Sequence, residues 1–276
     1  MPEDIAQDLY RNRDFIPDFD ALLAETAARS RALAAQTEMR TNIAYGPRPR
    51  ERMDLLLPPK LKAGAPLHLF VHGGYWRSGT KEDHRLVAAP VLAAGGIAAI
   101  VGYDLMPVTR LAVLVAQVRQ AARHLVAMAS GLGADPARLT VSGHSAGAHL
   151  ASYLAAQGAE EGPPELPALH AMLLVSGIYD LSGIPGSFLK DEARMRPQEA
   201  AAWSPLTARP LAGPQRVLTR GQAETAPFHD QAAAMAALLP DSTLRCEAGL
   251  NHLSIVLALA DPEQPLGRCL ADLVAG

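Results

Sequence analysis

The sequence predicts an α/β protein built on a mostly parallel central sheet with helices on both faces. Three observations carry that expectation. Short, continuously apolar runs recur along the chain, helical stretches separate them, and the chemistry-bearing residues fall just after the apolar runs. A strand that is apolar throughout must be covered on both faces, and parallel strands need a crossover between them, usually a helix. Ligands in such sheets bind beyond the carboxyl ends of the strands.

The elements follow in order. Residues 1–39 are rich in Ala and Leu, and ALLAETAARSRALAAQ sets apolar residues at helical spacing. They are expected to form a helical arm or lid on a catalytic domain spanning 40–276. TNIAYGPRPRERMDLLLP has a turn in its middle and reads as a hairpin whose second strand is Met53 to Leu57. LHLFV (Leu67 to Val71) and GIAAIVGY (Gly96 to Tyr103) read as strands, with the helix-like KEDHRLVAAPVLAA between them. A long amphipathic helix is expected from Arg110 to Ser130, ended by GLGADP. Further strands are RLTVSG (Arg138 to Gly143), LHAMLLVSG (Leu169 to Gly177), PQRVLTRG (Pro214 to Gly221) and TLRCEAG (Thr243 to Gly249). The longest insertion between strands, Ile178 to Pro210, is a candidate pocket wall.

Composition narrows the function classes. The chain is 49% hydrophobic and 19% charged, and 276 residues can bury a core without disulfides or metals. A net charge of −3 offers no basic field for nucleic acid or an anionic membrane. No run of roughly 18 apolar residues suggests a membrane span. The charged N-terminus MPEDIAQDLYRNRD lacks the apolar core of a secretory signal, so a cytoplasmic protein is expected. Cys246 and Cys269 have no metal-type spacing and are expected to be buried, unpaired thiols. The expected partner is a small-molecule substrate, with a homodimer left open, and no cofactor or metal is expected.

The chemistry centres on Gly143-His144-Ser145-Ala146-Gly147, a G-x-S-x-G pentapeptide between a strand and a helix. Such a sharp turn holds a serine in strained backbone geometry with its hydroxyl presented, and small neighbours let other backbone approach. His72-Gly73-Gly74-Tyr75-Trp76 follows LHLFV directly. Bare amides at Gly73 and Gly74, with that of Ala146, suit an oxyanion. A serine needs a base, and His252 in GLNHLSIV follows the last strand, where the chain order Ser, acid, His puts it. His144 and His72 are the lesser histidines, the latter bracing the oxyanion loop. For the acid, Glu224 sits in the loop after Gly221, Asp230 falls in the helix beginning around Pro227, and Asp180 follows the preceding strand. Glu224 is favoured, with the other two left open. Tyr75 and Trp76 follow the oxyanion glycines and are read as substrate-binding rings, with packing into the core as the alternative for each.

With these residues in place, the chain resembles the arylformamidase (kynurenine formamidase) branch of the α/β-hydrolases. The resemblance rests on HGGYW (His72 to Trp76), GHSAGAHLA (Gly143 to Ala151), SGIYDL (Ser176 to Leu181), AAWSPL (Ala201 to Leu206) and the pair Asn251-His252, spread from about residue 40 to the C-terminus. HGGYW is the most specific: esterases resembling hormone-sensitive lipase have a third glycine where this chain has Tyr75. The resemblance implies hydrolysis of an N-formyl aryl amide or a small ester through an acyl-enzyme. Ser145 matches the nucleophile, His252 the base, and Gly73, Gly74 and Ala146 the oxyanion donors. Glu224 stands where eukaryotic formamidases usually have aspartate. A carboxylesterase without a formamidase role is the rival within enzymes, and a catalytically silent binding scaffold the rival outside them.

Overall fold

The computed structural model describes residues 8–239 and 241–276. The part of the N-terminal arm at residues 1–7 lies outside them. Strands β1 (Glu38–Ala44) and β2 (Arg52–Leu57) form the expected antiparallel hairpin. β3 (Ala65–Val71), β4 (Ile97–Val101), β5 (Ala134–His144), β7 (Ala171–Val175), β9 (Gln215–Gly221) and β10 (Ser242–Glu247) complete an eight-stranded sheet. Its order is β1-β2-β4-β3-β5-β7-β9-β10, antiparallel at β1-β2 and β2-β4 and parallel elsewhere. Two short strands, β6 (Ala156–Gln157) and β8 (Arg209–Pro210), pair apart from it. This is the mostly parallel, helix-covered sheet that the alternation of runs and helices predicted, and the α/β-hydrolase architecture that the resemblance implies.

Among the described residues, eight α-helices surround the strands: α1 (Phe19–Gln36), α2 (Ala88–Ala93), α3 (Leu111–Leu132), α4 (Ala146–Ser152), α5 (Pro197–Ala202), α6 (Ala226–Leu238), α7 (Ser254–Leu259) and α8 (Pro265–Ala275). Alternation along β3 shows how they cover the sheet. Leu67, Leu69 and Val71 enter one apolar layer with Leu114, Val118 and Leu125 of α3. Phe70 enters the other with Leu270 and Val274 of α8. Successive strand side chains point to opposite faces, so a strand buried on both sides must be apolar at every position. Fully burying each such side chain contributes about 1.5–3 kcal/mol. His68 is the exception on β3: it is fully buried and bonds Thr140 at 2.8 Å and Ser142 at 2.7 Å on neighbouring β5. Burial pushes its pKa down to about 3, so it sits in the sheet as neutral imidazole.

The structure differs from the sequence expectation in three places. The described part of the 1–39 stretch is not uniformly helical: a 3-10 turn at Asn12–Asp14 precedes α1, and β1 begins at Glu38. The KEDHRLVAAPVLAA stretch is a 3-10 segment, Glu82–Val87, running into the short α2. Both thiols are free as expected, yet Cys246 is exposed and Cys269 only half-buried. Cys246 lies on β10, the last strand in the sheet order, most of whose residues are not buried. Among the described residues, no helix is long and apolar enough to cross a membrane.

Candidate active site

Ser145 stands between the end of β5 and the start of α4 with φ 56° and ψ −122°. This is strained backbone for a residue with a Cβ, and tertiary contacts hold it. The Ser145 N–H donates to the carbonyl of Val175 on β7 at 2.9 Å. The glycines of the pentapeptide are there for room. A Cβ on Gly147 would collide with the Val71 carbonyl oxygen at the end of β3, and one on Gly143 with the backbone of Gly147. Small residues here let α4 start against the sheet, which lifts the serine over the strand ends.

The structure brings Ser145, His252 and Glu224 together. His252 Nε2 lies 2.9 Å from Ser145 Oγ, and its Nδ1 lies 3.0 Å from Glu224 Oε2. The His252 and Glu224 side chains are 4% and 0% exposed, so water does not compete for either bond. The other carboxylate oxygen of Glu224 accepts the Gly221 N–H at 2.8 Å and the Ser176 hydroxyl. Burial by itself would raise the Glu224 pKa. The adjacent His252 and the Ser176 and Gly221 hydrogen bonds outweigh burial and hold the carboxyl below the usual carboxylate range. His252 is steadied from two further sides. Phe228 packs on its ring at 4.3 Å between centroids, and its carbonyl accepts the Nε2–H of His144 at 2.8 Å.

The rival acids stand elsewhere. Asp230 is exposed on α6, whose buried face carries Phe228, Gln231, Ala232 and Met235. Asp180 uses its carboxylate to accept the Ser182 N–H at 2.8 Å.

Gly73 and Gly74 lie beside the serine. A Cβ on Gly73 would come within 3.1 Å of the Ser145 Cβ and 3.0 Å of the His144 ring. Gly74 has φ 112°, and a Cβ there would meet the Ser78 carbonyl. Only glycine fits at this position. The N–H groups of Gly73, Gly74 and Ala146 donate to no acceptor among the described residues. Ala146 is itself fully buried behind Ser145. His72 braces this loop as expected. Its Nδ1–H donates to the Gly73 carbonyl at 2.7 Å, its ring stacks between His84 and Tyr103, and burial pushes its pKa down to about 3.

The two aromatic residues of HGGYW part company. Tyr75 lines the cavity in front of Ser145. Trp76 does not: it is fully buried, its Nε1–H donates to His149 Nδ1 at 3.1 Å, and its ring stands edge-on to that imidazole. The expectation that Trp76 binds substrate is therefore corrected. The chain turns through φ 50° and 60° at Tyr75 and Trp76, which sends consecutive side chains to the cavity and to the core.

The cavity encloses about 600 Å³ and is bordered by Ser145, His252, Gly73, Gly74, His144 and His84 at its floor. Phe188 and Glu192 of the Ile178 to Pro210 insertion contribute, as expected of it. Arg11, Asn12 and Arg13, with Phe19, Leu23, Thr26 and Ala27 of α1, form a further wall, contributed by the N-terminal segment that the sequence expected to be an arm or lid. Ser176 and His144 were also missed as supports of the acid and of His252. Ser176 lies just after a strand end, and that position is the one signal that could have found it. Among the described residues, no three His, Cys, Asp or Glu side chains are grouped to hold a metal ion.

Known proteins resemble this chain in sequence and in fold. Kynurenine formamidase of Salmo salar is 33% identical over 192 residues, covering 70% of this chain and 63% of that protein. The isoprenylcysteine alpha-carbonyl methylesterase ICME of Arabidopsis thaliana is 31% identical over 151 residues, covering 55% of this chain and 35% of that protein. The chain thus spans less than two thirds of the length of these curated relatives. A candidate thioesterase from a Silicibacter species superposes with a TM-score of 0.84 at 26% identity, over 97% of this chain and 98% of that one. Esterase B from Lactobacillus rhamnosis shares the fold, with a TM-score of 0.72 at 22% identity over 95% of this chain and 96% of that one. The BD-FAE family matches residues 53–206, from the start of β2 past the serine elbow to the AAWSPL segment. Sequence, sheet order and the matched span agree, and the chain belongs to the BD-FAE family of α/β-hydrolases.

Proposed function

We propose that this chain is a serine hydrolase that cleaves a small acyl ester or an N-formyl aryl amide through an acyl-enzyme. The observation that carries the reading is the unbroken, buried hydrogen-bonded line from Ser145 through His252 to Glu224, opening on one cavity. A serine hydroxyl is a weak nucleophile until a base removes its proton. In this reading neutral His252 keeps its proton on Nδ1, donated to Glu224, which leaves the Nε2 lone pair facing Ser145.

Ser145 Oγ attacks the carbonyl carbon as its proton passes to His252 Nε2. The carbonyl oxygen becomes an oxyanion and accepts hydrogen bonds from the free N–H groups of Gly73, Gly74 and Ala146. Losing one such donor typically raises the barrier by about 3–4 kcal/mol. As the C–N or C–O bond breaks, the imidazolium returns the proton to the leaving nitrogen or oxygen. Water then attacks the acyl-enzyme by the same route, releasing the acid and restoring Ser145. Glu224 stays ionised throughout and stabilises the imidazolium.

The substrate class draws support from the relatives, which include both a formamidase and a methylesterase. Tyr75, Phe188 and Phe19 give the cavity aromatic surface for an aryl leaving group. A fluorophosphonate probe should label Ser145, and kcat/KM should then be compared on N-formylkynurenine and p-nitrophenyl acetate. Folded protein that resists the label at Ser145 removes the serine mechanism and revives the silent scaffold. Turnover of the ester with none of the formamide leaves a carboxylesterase.

A further inference from the structure

The loop that carries Gly73 and Gly74 turns through three successive left-handed residues, Gly74 at φ 112°, Tyr75 at 50° and Trp76 at 60°. Two of the three carry a Cβ, and such backbone persists only where its surroundings over-determine it. Backbone bonds supply part of the hold. The Gly74 carbonyl accepts from Arg77 and Ser78 at 3.1 and 3.0 Å, and the Trp76 carbonyl accepts from Met106 at 2.8 Å. Side chains supply the rest: the Tyr75 hydroxyl ties the loop to the Tyr10 carbonyl, and the Trp76 indole ties it to His149.

His149 is fully buried on α4, one turn beyond Ser145, and its N–H donates to the Ser145 carbonyl at 3.1 Å. Both of its ring nitrogens are committed. An indole N–H can only donate, so Nδ1 presents its lone pair to Trp76 at 3.1 Å. A carbonyl can only accept, so Nε2 carries the proton that goes to Trp203 at 2.8 Å. The partners thus fix one neutral tautomer, and burial acts in the same sense by pushing the pKa down to about 4. Trp76 and Tyr153 stand edge-on to the imidazole at 5.2 and 5.5 Å between centroids, and Trp203 stands edge-on to Tyr153. Three separate segments, HGGYW, GHSAGAHLA and AAWSPL, therefore meet at one imidazole that takes no part in the line from Ser145 to Glu224.

We propose that His149 is a positioning residue: by holding the Trp76 indole it keeps the Gly73 and Gly74 N–H groups aimed at the oxyanion. The assignment deepens the hydrolase reading above and rests on it. Only Tyr75 separates Trp76 from Gly74, so an indole that shifts to find another acceptor turns that stretch of backbone with it. A buried N–H left without an acceptor gains by such a shift. An oxyanion donor works only at its aimed position, where a displacement of about 1 Å costs on the order of a hundredfold. His149 does not border the cavity, so it meets no substrate. Its loss should therefore fall on kcat and leave KM nearly unchanged.

Two amide substitutions separate the two bonds of the imidazole. Asparagine places its oxygen near Nδ1 and keeps an acceptor for Trp76, whereas glutamine places its nitrogen near Nε2 and keeps only the donor to Trp203. On p-nitrophenyl acetate, well below each variant's melting temperature, His149→Gln should lose about tenfold to a hundredfold in kcat with KM within about twofold of the parent. His149→Asn should recover most of that loss. Affinity for a trifluoromethyl ketone, whose adduct with Ser145 carries the oxyanion, should fall in step with kcat. In a Trp76→Phe background, which lacks the indole N–H, His149→Gln should cost nothing further in kcat. Parent kcat in His149→Gln, equal losses in the two amide variants, or a loss that persists in the Trp76→Phe background overturns the assignment. Any of these in an active parent leaves the hydrolase reading standing. A parent that turns over neither ester nor formamide sinks that reading and this assignment with it.

Discussion

Replacing Glu224 by glutamine exchanges one carboxylate oxygen for an amide in a site where every bond is accounted for. In the native site one oxygen accepts from Ser176 and Gly221, and the other faces His252 Nδ1. A glutamine has one acceptor oxygen and one donor nitrogen. With the oxygen kept toward Ser176 and Gly221, the amide N–H meets the Nδ1–H of His252. The imidazole must then move its proton to Nε2, where it blocks the lone pair that faces Ser145. With the amide flipped, its N–H confronts the Gly221 N–H, which cannot turn away. The flipped arrangement keeps the base but sets donor against donor at Gly221, so the first is favoured, and its wrong histidine tautomer costs on the order of 10⁴ in kcat. At 1.36 kcal/mol per decade that is about 5.4 kcal/mol of barrier. The assay is kcat on p-nitrophenyl acetate for Glu224→Gln beside Asp230→Asn, whose carboxylate is in solvent and whose loss should change kcat by less than about twofold. A Glu224→Gln protein that keeps a tenth of the parent kcat, or a crippled Asp230→Asn, would refute the assignment of the acid.

Four further outcomes follow from the structure. Ser145→Ala should fold normally and lose about 10⁴–10⁶ in kcat, leaving the catalysis of the oxyanion donors and binding alone. Near-parent turnover by the purified variant would exclude the serine as nucleophile. Trp76→Ala should act on stability, lowering the unfolding free energy by about 3–5 kcal/mol in urea titrations because it empties a buried site and strands His149. A Tyr75→Ala variant should instead lower kcat/KM for aryl substrates about tenfold, with a smaller effect on short alkyl esters. An unchanged melting curve for Trp76→Ala, or equal losses on both substrate classes for Tyr75→Ala, would contradict this division. Finally, burial depresses His68 and His72 to about 3 and His149 to about 4. The unfolded chain binds protons at these sites below pH 6.5 and the folded one does not, so the stability they confer is present above 6.5 and lost as pH falls toward the folded values. Stability should drop by up to about 1.4 kcal/mol per pH unit for each of the three between pH 6.5 and 4. A flat urea midpoint across that range would rule this out.

What the sequence by itself determined are the features whose causes are local. An apolar run flanked by turn residues becomes a strand whichever neighbour it pairs with, so β2, β3, β4, β5, β7, β9 and β10 were legible with their ends adrift by a few residues. The Ser145 elbow was legible for the same reason, since its glycines and its strand-to-helix context lie within a dozen residues. Chain order narrowed the partners of Ser145 to one histidine and three carboxylates. Only the tertiary structure brings Glu224, of the three carboxylates, to His252. Asp230 lies six residues beyond Glu224, and it points to solvent because α6 turns Phe228, Gln231 and Ala232 inward against the sheet and His252. Trp76 and Tyr75 are adjacent and both aromatic, yet one meets His149 in the core and the other Phe188 in the cavity. The segment with Leu9 and Tyr10 reaches the site through Tyr75, Thr225 and Gln231, between 65 and 221 residues away along the chain. Hydrophobicity and periodicity state which side chains must leave water. They do not state which distant surface covers them, and here that surface brings Glu224 to His252 and residues 11–13 to the pocket wall.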